Sequence, residues 1–127
     1  NDVDVIQIVI VIMEIVMNNL TKEEFMKIYN EGENLTDKPI FIDFYATWWG
    51  PCKMYEQVLN KSTPEYEDKI NLYKVNIEEE MEIAGLFGVR GVPTTVTISK
   101  SGEAFSMSGA LNEETLKYYL EGLILKK

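Results

Sequence analysis

Residues 39–54 read "PIFIDFYATWWGPCKM". Behind Pro39, the apolar run through Tyr45 has the length and composition of a strand buried on both faces, and such strands belong to parallel sheets covered by helices. One residue breaks the run: Asp43, flanked on each side by apolar residues. A carboxylate in a buried strand is unfavourable by several kcal/mol unless it is protonated or paired. Its side chain is predicted to point at the underside of the helix that follows. That helix begins near Pro51, where the missing proline N–H is no loss, and it carries Met54, Val58 and Leu59 on one side of the stretch Cys52 to Asn60.

Working outward from this centre, Thr21-Lys22-Glu23-Glu24 reads as a capping box opening a helix over about 22–30, with Phe25, Ile28 and Tyr29 at helical spacing. Residues 31–38, "EGENLTDK", read as a polar loop. On the other side, "STPEYEDK" holds a second start signal in Ser62, Thr63, Pro64 and Glu65, so the central helix is predicted to break and restart briefly. "INLYKVNI" (70–77) is a strand, and "EEEMEIAGLFG" (78–88) a helix with acids in its first turn and Gly88 as its stop. "VPTTVTISKSGEAFSMSG" forms two strands joined by a turn at Lys100-Ser101-Gly102, and Asn112-Glu113-Glu114 caps a last helix through about Leu125. The order is βαβαβαββα, which predicts one α/β domain with a mixed, mostly parallel central sheet, helices on its faces and an antiparallel hairpin at one edge.

The 127 residues, 46% hydrophobic and 26% charged, suit one ordinary globular domain that buries roughly two thirds of its unfolded surface. A single cysteine excludes an internal disulfide and any cysteine-rich metal site, and the lack of histidine removes the commonest metal ligand and general base, so zinc, haem and serine–histidine catalysis are poor fits and no metal site is predicted. With a net charge of −9, Arg90 as the one arginine and no lysine cluster, the chain does not suit a nucleic-acid or anionic-membrane partner.

The stretch from Val3 to Val16, "VDVIQIVIVIMEIV", lacks a basic start and carries Asp4, Gln7 and Glu14, so neither a signal peptide nor a membrane span fits it. Its valines and isoleucines favour a strand. Fully extended it would run about 50 Å, more than one domain strand needs. The part near Ile12 to Met17 is assigned to the sheet, which divides the chain into an extension, 1–11, and a domain, 12–127. The extension reads equally as an appended non-native segment, an extra edge strand, or a sticky surface for self-association.

The ordered stretches "FIDFYATW", "WGPCKM", "YKVNI", "GVRGVPT" and "SGALNEETL" together resemble the thioredoxin family, over nearly everything from about Glu14 to Leu125. The resemblance implies the thioredoxin-like fold and thiol–disulfide oxidoreduction on protein substrates by two thiols without a bound cofactor, with a reductase as partner of a two-cysteine form. The chain departs from the family at the centre of the motif. Where the family has Trp-Cys-Gly-Pro-Cys, this chain has Trp48-Trp49-Gly50-Pro51-Cys52, so Trp49 stands at the attacking cysteine and Cys52 at the resolving one. Gln57 stands where many members carry a kinking proline, which predicts a straighter helix.

Two thiols at that spacing are a chemical necessity. A thiolate attacks a disulfide and becomes trapped in a mixed disulfide, which a second thiol within one helical turn must break. The first thiol sits at a helix N-terminus, where the dipole and free N–H groups stabilise its anion. The resemblance further implies that Asp43 is a buried proton acceptor for Cys52 with Lys74 nearby, and that Trp48 flanks the thiol. It also implies a cis bond before Pro93 that leaves the Val92 backbone to pair with an extended substrate. Gly50, Pro51, Gly91, Gly109 and Ala110 would complete a flat substrate rim. Taken alone, a cysteine such as Cys52 is more often a small buried hydrophobe than a reactive group, and the lesser reading of Asp43 with Lys74 is a buried ion pair that serves only packing. Three functions remain open at this level: an oxidoreductase scaffold whose dithiol turnover is lost or strongly impaired, a non-catalytic module binding peptides or partner proteins, and a monothiol acting through Cys52. A cytoplasmic location is the expectation, with the periplasm as the alternative.

Overall fold

The computed structural model of the protein describes residues 17–127. Its elements are β1 (Asn18–Asn19), α1 (Lys22–Ile28), β2 (Tyr29–Asn30), β3 (Glu33–Asn34), β4 (Ile40–Tyr45) and α2 (Gly50–Ser62), then a 3-10 turn (Pro64–Tyr66), β5 (Asn71–Asn76), α3 (Met81–Leu86), β6 (Thr94–Ile98), β7 (Ala104–Ser108) and α4 (Glu113–Leu125). Five strands form one sheet in the order β1-β5-β4-β6-β7. β1 and β4 run parallel to β5, whereas β6 is antiparallel to both β4 and β7. This is the mixed α/β sheet, with its antiparallel hairpin at one edge, that the sequence predicts.

β4 is central because it can be. Ile40, Phe41, Ile42 and Phe44 are wholly buried, and each such side chain contributes about 1.5–3 kcal/mol through the apolar area it removes from water. Alternation along the strand sends them to opposite faces. Phe41 joins Tyr55 and Leu59 of α2 and Leu116, Leu120 and Leu123 of α4 in one core. Ile40, Ile42 and Phe44 join Phe25 of α1, Ile83 of α3, and Val96 and Ile98 in the other. Asp43 shares the parity of Phe41, so it faces α2, and it is buried there.

Several boundaries differ from the sequence expectation. β1 starts at Asn18, just past the Ile12–Met17 segment assigned to the sheet; Met17 is buried in the α2/α4 core, and residues 12–16, like the extension 1–11, lie outside the described residues. α1 stops at Ile28 instead of near residue 30, because Tyr29 turns extended and pairs with Asn34. The supposed loop after it is a hairpin, made possible by positive φ at Glu31 (49°) and Gly32 (79°). The Asn34 amide then ties it to the carbonyls of Lys38 and Ser99 at 2.8 and 3.1 Å. Gly102, at φ 94°, closes the β6–β7 turn against this hairpin, where a Cβ would lie 2.0 Å from the Gly32 oxygen. α3 is shorter than 78–88 because Asn76 takes the Glu78 amide on its side chain (2.9 Å) and forms a turn before the helix. The central helix runs uninterrupted through Gln57 and then restarts as the 3-10 turn at Pro64.

Both predicted N-caps form, although the Glu24 carboxylate does not return the bond to the Thr21 amide, so the capping box is half made. Thr21 accepts the Glu24 amide at 3.2 Å, and Asn112 accepts the Thr115 amide at 2.8 Å. Asn112→Ala is expected to destabilise the protein by about 1 kcal/mol in urea unfolding, since the first turn of α4 loses its acceptor; an unchanged midpoint would show that water replaces it fully.

Candidate functional site

The sheet register collects the predicted site at one end. β4 runs out at Tyr45 and leads through Ala46 into α2, while the antiparallel partner β6 begins there, Phe44 lying opposite Thr94 and Thr94 opposite Ser108. The start of α2, the Gly91-Val92-Pro93 segment and the Gly109-Ala110 turn therefore share this edge. The Val92–Pro93 bond is cis. Gly109, at φ 89°, donates its N–H to the Pro93 carbonyl at 2.8 Å, and the Thr94 hydroxyl donates to the Gly91 carbonyl at 2.7 Å, so the two loops are tied together. Gly91 and Ala110 are exposed and Val92 half-buried.

At the head of α2, Trp49 is the N-cap residue in extended backbone, followed by Gly50 and Pro51 in the first turn. Its carbonyl accepts the Cys52 amide at 3.1 Å. Trp49 is 43% exposed and Trp48 66%, the two rings meeting edge-on with centroids 5.7 Å apart. The Trp48 indole N–H donates to Glu78, in the turn after β5. Cys52 is only 5% exposed. Burial pushes its thiol pKa up, a backbone hydrogen bond at Ala46 opposes this, and the Asp43 charge adds to the rise. A thiol so placed is held protonated, and the protonated form is a poor nucleophile.

Beneath Cys52 lies a cavity of about 270 Å³ lined by Asp43, Tyr45, Ala46, Thr47, Cys52, Lys53, Glu56 and Lys74. Asp43 is 95% buried there by area, and its Oδ1 has no hydrogen-bond partner. Burial first, then the Glu56 charge, raise its pKa to about 7, against the opposing pull of Lys74. The packing-only ion pair between Asp43 and Lys74 is not formed. The two residues are direct neighbours in the β4–β5 register, yet the Lys74 ammonium lies 5.9 Å from the Tyr45 ring centroid, and no Asp43–Lys74 ion pair occurs among the described residues. Lys74 is half-buried, and a long stem of this kind can lie along apolar surface with its ammonium at the edge.

Two residues escaped the sequence reading. Glu56 lies four positions after Cys52, a spacing that puts both on one side of α2, and that signal was available. Glu78 could be linked to Trp48 only through the fold, since 30 residues separate them. Among the described residues, no group of His, Cys, Asp and Glu side chains is arranged to hold a metal ion, and no helix is long and apolar enough to cross a membrane.

Comparison with known proteins agrees with this arrangement. The chain is 35% identical over 105 residues to thioredoxin of Borreliella burgdorferi, covering 78% of this chain and 90% of that one. It is 39% identical over 87 residues to thioredoxin 1 of a Nostoc species, covering 68% and 80%. Among solved structures, a mutant thioredoxin from Halobacterium salinarum superposes with a TM-score of 0.70 at 27% identity, covering 85% of this chain and 89% of the other. The thioredoxin family model matches residues 16–122, a span that includes every element from β1 to the greater part of α4, and on sequence and fold alike the chain belongs to the thioredoxin family.

Proposed function

We propose that this chain carries the protein thiol–disulfide exchange scaffold of its family, with two-thiol turnover lost because Trp49 stands where the attacking sulfur belongs. The observation that carries this reading is the contrast between an exposed indole at the N-cap of α2 and the buried thiol three residues on. The helix N-terminus that would stabilise an anionic sulfur holds a side chain that cannot ionise. Cys52 would take the resolving role, with Asp43 accepting its proton. Trp48, Gly50, Pro51, Gly91, Val92, Gly109 and Ala110 would receive an extended segment of a disulfide-bearing protein, paired to the Val92 backbone by strand addition. A two-cysteine form would be recycled by a thioredoxin reductase, with no bound cofactor or metal in the exchange. A cytoplasmic setting is proposed, the periplasm being the alternative, and residues 1–11 remain a proposed extension with self-association as one role.

A second reading is favoured by the exposed Trp48–Trp49 pair, which suits a module that binds peptides without chemistry. The two readings separate on a pull-down: capture lost in Trp48→Ala but kept in Cys52→Ala supports the binding module. The monothiol reading separates on alkylation. Cys52 is expected to react with iodoacetamide at least about tenfold more slowly in the folded protein than in urea, because the protein holds it buried and protonated. Equal rates would favour the monothiol. In dithiothreitol-driven insulin reduction the chain is expected to match the uncatalysed rate, and substantial turnover would overturn the main reading.

A further inference from the structure

We propose that Glu56 is a positioning residue for the exchange chemistry: its carboxylate, on the cavity wall shared with Asp43 and Cys52, adds to burial in setting the pH above which Asp43 can accept the Cys52 proton. The inference rests on the proposed role of Asp43 and Cys52. It deepens that reading by assigning a role to a residue outside the family motif.

The cavity supplies the argument. Asp43, Cys52 and Glu56 line the same space. Asp43 Oδ1 is buried without a partner and so has no local donor to hold it ionised. The groups packed around it can be counted off by element. α2 presents Cys52, Lys53, Tyr55 and Glu56; β5 presents Lys74; its own strand presents Tyr45. β6, on the other side, presents Thr95 opposite Asp43 in the register, its hydroxyl bonded to the Tyr55 hydroxyl at 2.7 Å. The Lys74 ammonium lies over the Tyr45 ring instead of pairing with Asp43. The nearest compensation for a negative Asp43 is therefore weak, while the exposed Glu56 adds a second carboxylate to the same wall.

Two carboxylates facing one space resist simultaneous ionisation, and the one in the poorer environment keeps its proton. Here that is Asp43, since Glu56 retains contact with water. The step affected is a proton transfer: the Cys52 S–H bond breaks, its electron pair stays on sulfur, and the proton forms an O–H bond on Asp43. A protonated Asp43 cannot accept it. Glu56 thus acts at a distance, as a charge that sets the pH at which Asp43 becomes a base.

The test uses the full chain labelled with carbon-13. The Asp43 carboxyl, identified by its loss in Asp43→Asn, is titrated by NMR in the parent, Glu56→Gln and Glu56→Asp. Glu56→Gln is expected to lower the Asp43 midpoint by about half a pH unit to one unit, and the shift is expected to shrink in high salt. Glu56→Asp is expected to keep most of the parent midpoint. In parallel, the inflection near neutrality in the pH profile of Cys52 alkylation is expected to move with the Asp43 midpoint. An Asp43 midpoint unmoved by Glu56→Gln, or moved equally by Glu56→Asp, overturns the proposal. Insulin turnover by the parent chain would instead overturn the functional reading on which it rests, so the two failures are distinct.

Discussion

Trp49→Cys is expected to raise dithiothreitol-driven insulin reduction over the parent chain on the order of a thousandfold or more, the scale on which an enzyme responds to its nucleophile. Position 49 is the N-cap of α2, with extended backbone and a half-exposed side chain. A thiol there meets both requirements of an attacking sulfur, access to substrate and stabilisation of its anion by the helix N-terminus. Cys52 lies three residues on, where it would break the mixed disulfide under the proposed function, and the loop holding Val92 and Pro93 is tied by the Thr94–Gly91 hydrogen bond. The substitution leaves the cores untouched, because its main loss is one edge-on contact with Trp48 worth about 0.5–1.5 kcal/mol. Adding Cys52→Ala to Trp49→Cys is expected to abolish the gain, since the mixed disulfide then has no resolving thiol. A Trp49→Cys variant that folds yet stays at the uncatalysed rate would remove the case for an exchange scaffold.

Asp43→Asn is expected to flatten the pH dependence of stability. In the folded protein burial raises the Asp43 pKa from 3.8 to about 7. A folded acid with a raised pKa holds its proton where the unfolded chain has released it, so stability is greatest at low pH and falls as pH rises between the two values. The difference of about three units corresponds to about 4 kcal/mol, of which about 2.5–3 kcal/mol is lost between pH 5 and pH 8. Asparagine fills the same space without a charge, so its variant lacks this fall and is the more stable protein at pH 8. Urea unfolding at four pH values across that range measures both slopes. Parallel curves for parent and variant would mean that Asp43 has found a partner or reaches water in solution. The general repulsion of a chain with net charge −9 cancels in the comparison, to within the one charge changed.

Much of this molecule is legible residue by residue. The strand Ile40–Tyr45, the helix opening at Gly50-Pro51 and the caps at Thr21 and Asn112 are written in short-range pattern: an apolar run, a proline where no N–H is needed, a side-chain oxygen before a first turn. Even the burial of Asp43 follows from its parity with Phe41. The misreadings fall where a competing backbone or side-chain partner overrides helical spacing. Tyr29 has helical spacing with Phe25 but leaves the helix to pair with Asn34, and Asn76 draws off the amides that would have begun α3 earlier. Lys74 was legible as a neighbour of Asp43, though its avoidance of an ion pair was not.

By itself, then, the sequence determined the family and the order of the principal elements apart from the β2–β3 hairpin, and it set a tryptophan at position 49, where the family resemblance puts a sulfur; all of these are read from short motifs along the chain. Only the tertiary structure decided that Asp43 lacks a partner, that Lys74 turns to Tyr45, that Trp48 is held by Glu78 and that Glu56 shares a cavity with Cys52 and Asp43. Each of these depends on where charges stand relative to water and to each other across the fold. Desolvation and Coulomb energy follow distance in space, and spacing along the chain does not report it.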